Sequence, residues 1–107
     1  MRNIVFTKQY LKDLEKLRKS KKFDEKELDD VIEKLANDFK LDKKYKDHKL
    51  QGELSGFRDC HIKNDLVLLY YKTETNELRI LTLARLGSHS QVILKSFSSH
   101  SQVLPRF

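Results

Sequence analysis

The chain has 107 residues, 38% of them hydrophobic and 36% charged, a length that supports one domain with a modest core and leaves no room for two. Twenty-two Lys and Arg against 16 Asp and Glu give a net charge of +6, which suits a polyanionic partner, nucleic acid before membrane. The lone cysteine, Cys60, excludes an internal disulfide and a cysteine metal cluster, and no apolar run approaches the ~18 residues of a membrane span, so a cytoplasmic protein is expected.

In chain order, Arg2 to Phe6 read as a first strand, with Ile4 and Phe6 on one face and Val5 on the other. Thr7 can cap a helix whose apolar positions Tyr10, Leu11, Leu14 and Leu17 recur at helical spacing and which ends in a basic turn. Asp24 with Glu27 resembles a capping box, and Leu28, Val31, Ile32, Leu35 and Phe39 form the stripe of a second helix. Residues 40–49 are lysine-rich and aperiodic. They read as an exposed loop carrying Tyr45 and His48 to the sheet edge.

Gly52 and Gly56 bracket a turn or short edge strand. From Phe57 the period of two sends Phe57, Asp59 and His61 to one face and Arg58, Cys60 and Ile62 to the other. Lys63-Asn64-Asp65 is a turn, Leu66 to Lys72 a near-continuous apolar central strand, and Leu78 to Leu86 a last strand. After Gly87, Ser88 can cap a short helix containing Val92, Ile93 and Leu94. The expected architecture is α+β, in the order β-α-α-β-β-β plus a short C-terminal helix. Both N-terminal helices lie on one face of an antiparallel sheet, and the other face stays open for polar side chains. Residues 1–96 form the domain and 97–107 a C-terminal extension. Ser88-His89-Ser90-Gln91-Val92 recurs there as Ser99-His100-Ser101-Gln102-Val103.

Three of the four histidines, with several carboxylates, gather between Asp47 and His89 beside the strands. Three chemistries fit His48, Asp59, His61, Asp65 and His89. They could ligate a metal, although Asp-x-His-x-x-x-Asp is no recognised ligand pattern. Some could be structural, with Asp65 capping a turn and Asp59 pairing with Arg58 or a lysine. Or they could act as general acids and bases on RNA, which carries its own nucleophile in the 2′-hydroxyl and needs no metal for cleavage. Arg58, Lys63 and Arg85 are then candidate cations for the phosphate, and Lys49 is a further one.

The segments Asp47-His48-x-Leu50-x-Gly52, Gly56-Phe57-Arg58-Asp59-Cys60-His61-Ile62-x-x-Asp65 and Arg85-x-Gly87-Ser88-His89-Ser90, with the Phe-Thr-Lys-x-Tyr start, resemble the YafQ branch of the RelE toxin superfamily. The resemblance covers residues 1 to about 94. It implies a RelE-like fold and a ribosome-dependent, metal-independent endoribonuclease that cleaves mRNA in the A site and uses no cofactor. A cognate antitoxin is implied as partner, and operator DNA only through the toxin–antitoxin complex. His48, His61, Asp65 and His89 are implied as the catalytic group with Asp59 in support, His48 or Asp65 as base and His89 as acid. The chain departs from the family where Leu66 and Ile93 stand in place of aromatic residues that stack on bases. An alternative reading is a non-cleaving protein that binds nucleic acid or antitoxin and acts in transcriptional regulation.

Overall fold

The computed structural model describes residues 1–94. Its elements are β1 (Asn3–Phe6), α1 (Lys8–Arg18), α2 (Glu25–Ala36), the two-residue β2 (His48–Lys49), β3 (Arg58–Lys63), β4 (Leu66–Glu74) and β5 (Arg79–Ser88). They form one five-stranded sheet in the order β1-β5-β4-β3-β2. β2 through β5 pair antiparallel, but β1 runs parallel to β5, so the sheet is mixed at that edge. The two intervening helices carry the chain from β1 across one face, which permits the parallel pairing. The short C-terminal helix expected from the sequence is a single π turn, Ser90–Leu94. The extension at 97–107 and its repeated motif lie outside the described residues.

Each helix starts where the sequence offers a cap. Thr7 accepts the Tyr10 amide at 3.0 Å, and its hydroxyl donates to the Ala84 carbonyl, tying the start of α1 to β5. Asp24 accepts the Glu27 amide at 3.1 Å, but Glu27 does not close the capping box. Its carboxylate instead accepts the Tyr45 hydroxyl at 2.5 Å and so holds the following loop. Leu28, Val31 and Leu35 are fully buried on α2, each contributing about 1.5–3 kcal/mol through burial. Two expected stripe positions face solvent: Leu11 is 48% exposed, and Phe39 lies beyond the end of α2 at 63%.

The main core fills the space between the helices and the sheet, where Cys60, Ile62, Leu68, Tyr70, Leu81 and Leu83 meet α1 and α2. The stretch 40–49 is more structured than its composition suggests. Leu41 and Tyr45 are buried in that core, and Lys43–Tyr45 form a 3₁₀ turn ending at Lys46 in the left-handed region (φ +50°). The opposite sheet face is also not open. Leu54, Phe57, Val67, Leu69, Ala84, Val92 and Ile93 form a second, smaller core on it, covered by the 3₁₀ turn Gly52–Leu54 and the π turn. Polar groups are thereby confined to the margin of that face, at the β2–β3 edge and the end of β5.

Candidate active site

Strand register brings the histidines together. His48 of β2 is the cross-strand partner of Asp59 on β3, and the next residue of β3 on the same face is His61. β4 lies between β3 and β5 and aligns them, with His61 opposite Val67 and Val67 opposite Gly87, so His89 emerges just beyond, over the same margin. The His61 and His89 rings stand 6.3 Å apart, centroid to centroid, tilted by 33°. Residues far apart in sequence thus meet ring to ring.

Asp59 lies beneath them, 1% exposed. Neither of its carboxylate oxygens has a hydrogen-bond partner among the described residues. His48 approaches it most closely, with Nδ1 3.1 Å from Oδ1, a contact without hydrogen-bond alignment. Burial raises the Asp59 pKa, with Asp47 adding to the rise, and His48, His61 and His89 all pull against it. The buried carboxylate is thus felt by all three imidazoles at once.

The tautomer of His48 follows from its neighbours. Nδ1 also lies 2.6 Å from the Lys46 carbonyl oxygen, so that nitrogen faces two acceptors. A hydrogen must sit on Nδ1, and in the neutral ring Nε2 carries the lone pair. The ring is half exposed, so Nε2 can take a proton from a bound molecule.

Asp65 stands apart. It is exposed on the β3–β4 turn, beside a hollow lined by Leu17, Phe23, Asp24 and Lys63, and no hydrogen bond or ion pair among the described residues ties it to a histidine. The candidate cations are also largely engaged. Arg58 points to the helix-side face and pairs with Asp47 at 3.2 Å, Lys63 pairs with Asp24 at 3.2 Å, and Arg85 pairs with Asp13 of α1 at 3.1 Å. Lys49 is exposed on β2. Two lysines that no motif singles out, Lys44 and Lys46, line with Lys63 a hollow that His61 borders.

The model of the family described as "Bacterial toxin of type II toxin-antitoxin system, YafQ" matches residues 2–103. The chain belongs to the YafQ toxin family. The mRNA interferase toxin YafQ of Escherichia coli K12 is 36% identical over 90 residues, 83% of this chain and 92% of that protein. A toxin YafQ homologue from Haemophilus influenzae is 46% identical over 65 residues, a match that spans 61% of this chain and 64%, just under two thirds, of that protein. Among solved structures, a metal-bound toxin from Helicobacter pylori is 44% identical with a TM-score of 0.76, covering 87% of this chain and all of that one. The YafQ of the E. coli DinJ–YafQ complex is 32% identical with a TM-score of 0.72, covering 87% of this chain and 99% of that one. The RelE-type fold expected from the sequence is thereby established.

Metal binding is a property of the H. pylori protein. Among the described residues of this chain, no group of three or more His, Cys, Asp or Glu side chains is arranged for a metal ion. Of the two departures from the family pattern, Ile93 is 7% exposed in the second core and offers no stacking surface, while Leu66 packs partly buried against the main core.

Two further contacts, which strand periodicity alone does not reveal, join residues to the candidate site. Tyr70, 1% exposed on β4, donates its hydroxyl to Asp47 at 2.5 Å, and Arg58 Nε lies 3.3 Å from both. A signal existed: a tyrosine inside the most apolar strand must find a partner for its hydroxyl when buried.

Proposed function

We propose that this chain is an endoribonuclease toxin that cleaves mRNA in the ribosomal A site by general acid–base catalysis and is silenced by a cognate antitoxin. The observation that carries this reading is the gathering of His48, His61 and His89 over the buried Asp59.

His48 Nε2 takes the proton of the 2′-hydroxyl. The freed O2′ attacks the adjacent phosphorus, the bond from phosphorus to O5′ breaks, and His89 donates a proton to the departing O5′. The products are a 2′,3′-cyclic phosphate and a 5′-hydroxyl. His61 lies between the two, beside the lysine-lined hollow, where its imidazolium and Lys46 can offset charge developing on the phosphorane. Asp59 places a buried carboxylate beneath the base, the acid and the phosphate-binding imidazole. In this scheme Asp65 serves the turn and takes no proton. RNA supplies the nucleophile and the imidazoles supply both proton transfers, so no step requires a metal.

Ribosome dependence follows from how little of the site could hold a nucleotide. Three side chains lie on an open margin, with Ile93 buried and no exposed aromatic among the described residues of the C-terminal turn to stack a base. Orientation is worth several kcal/mol of barrier and has to come from elsewhere, which the ribosome provides by presenting the codon. The excess of +6 charge suits both the RNA and an acidic antitoxin. The antitoxin partner rests on the DinJ–YafQ relatives. Operator DNA is contacted only through the toxin–antitoxin complex.

The test maps the ends of a defined reporter mRNA after purified protein is added to a translation extract containing chelator, with untranslated message and a His89→Ala protein in parallel. Cuts at fixed codon positions, seen only on translated message and absent with the variant, support the reading. Arrest of translation without cuts overturns the nuclease, and cuts on naked RNA overturn the dependence on the ribosome.

A further inference from the structure

His48 sits on a strand of two residues, at the sheet edge, with one neighbouring strand. Two ladder positions are too few to fix an exposed imidazole. The constraint comes from the residues just before it. Lys46 is held in the left-handed region with its amide bonded to the Lys43 carbonyl at 3.0 Å, and its own carbonyl faces His48 Nδ1. Asp47 turns to the helix-side face, where Oδ1 accepts the Tyr70 hydroxyl at 2.5 Å and Oδ2 lies 3.2 Å from Arg58 Nη2. Arg58 is also the cross-strand partner of Lys49, so the ion pair and the ladder hold β2 at the same place.

We infer that Asp47, Tyr70 and Arg58 form a positioning clamp that sets the orientation and tautomer of His48 from the opposite side of the sheet. This rests on the proposed role of His48 as base. Alternation along the strand supplies the leverage. Asp47 and His48 project to opposite faces, so anchoring the Asp47 carboxylate to a fully buried tyrosine fixes the peptide plane between them and aims the imidazole at Asp59. The clamp touches neither substrate nor reacting atoms. It removes freedom from the group that does, and misplacement of such a group by about 1 Å can cost up to about 100-fold in rate.

The clamp separates cleanly from general stability. Tyr70→Phe keeps the ring in the core and deletes only the hydroxyl. Asp47→Asn keeps an acceptor for Tyr70 and deletes the charge that faces Arg58. For both, nitrogen shifts of the His48 ring report its tautomer, and turnover in the translation extract is split into kcat and KM. In the wild type, His48 holds Nδ1–H. In Tyr70→Phe it relaxes toward the tautomer mixture of a free imidazole, and kcat falls by about 10- to 100-fold with KM within about twofold. Asp47→Asn, which keeps the acceptor for Tyr70 and loses the ion pair with Arg58, shifts both readouts in the same direction. If Tyr70→Phe unfolds, Asp47→Asn decides alone. A His48 ring that keeps the wild-type tautomer in the folded variants overturns the clamp. A ring that relaxes while even the wild type fails to cut RNA upholds the clamp and overturns the nuclease, so the two failures stay distinct.

Discussion

His48 Nδ1 and Asp59 Oδ1 approach to 3.1 Å across the β2–β3 ladder, and the histidine is half exposed while the carboxylate is 1% exposed. One partner is open to solvent and the other is shut away beneath it. Burial without a hydrogen-bond partner costs free energy, so Asp59 lowers the stability of the fold that holds it.

That cost has a sign. The folded-state pKa of Asp59 lies above its ordinary value of 3.8, so the folded protein holds the proton to higher pH than the unfolded chain. The penalty is absent below pH ~3.8 and grows as pH rises through the folded-state pKa. Asp59→Asn is isosteric and neutral, and is expected to raise the thermal midpoint at neutral pH while lowering cleavage at least tenfold. Scanning calorimetry beside the extract assay checks both, and a variant that melts lower at pH 7 contradicts the account.

His89→Ala is expected to abolish cleavage and leave the fold intact, because the side chain is exposed and its ring contact is with His61 alone among the described residues. Loss of growth arrest on expression, with an unchanged unfolding midpoint, is the expected pair of results. A large drop in the midpoint would make His89 structural.

A remote carboxylate governs acid stability. Asp38 meets Lys72, Arg2 and Arg79, and its pKa is lowered to about 2, chiefly by the hydrogen bonds from Lys72 and Arg2. The stability it contributes is complete above the ordinary value of 3.8 and is lost as pH falls toward about 2. Asp38 also has φ +59°, a conformation asparagine tolerates, so Asp38→Asn removes the charge without added backbone strain. The variant should be less stable than wild type at pH 7, with the difference closing between pH ~4 and ~2 in midpoints measured across that range.

The second core bears on the site through packing. Leu69, 2% exposed on the face that carries Asp59, should cost about 2–5 kcal/mol when replaced by alanine, whereas Leu11→Ala, at 48% exposed, should stay within about 0.5 kcal/mol. Urea unfolding of both variants distinguishes a packed second face from an open one.

Periodicity alone carries much of this molecule. The helix caps at Thr7 and Asp24, the apolar stripe of α2 and the strict alternation from Phe57 to Ile62 are local properties, so the element order apart from the two-residue β2, and the face on which Asp59 and His61 lie, can be read from the amino-acid sequence itself. The motif residues likewise mark His48, Asp59, His61, Asp65 and His89, of which register gathers all but Asp65. Tertiary structure decided what local rules do not contain. The parallel placement of β1 and the covering of the second sheet face depend on where chain segments return. The withdrawal of Arg58, Lys63 and Arg85 into ion pairs with Asp47, Asp24 and Asp13 depends on partners up to 72 residues away. Asp65 stands next to the histidines in sequence yet on the far side of a turn, and Tyr70 stands remote in sequence yet bonded to Asp47, the residue before His48. A side chain's type and its strand parity are written in the sequence, whereas its partner is set by register between strands, and register is a property of the whole sheet.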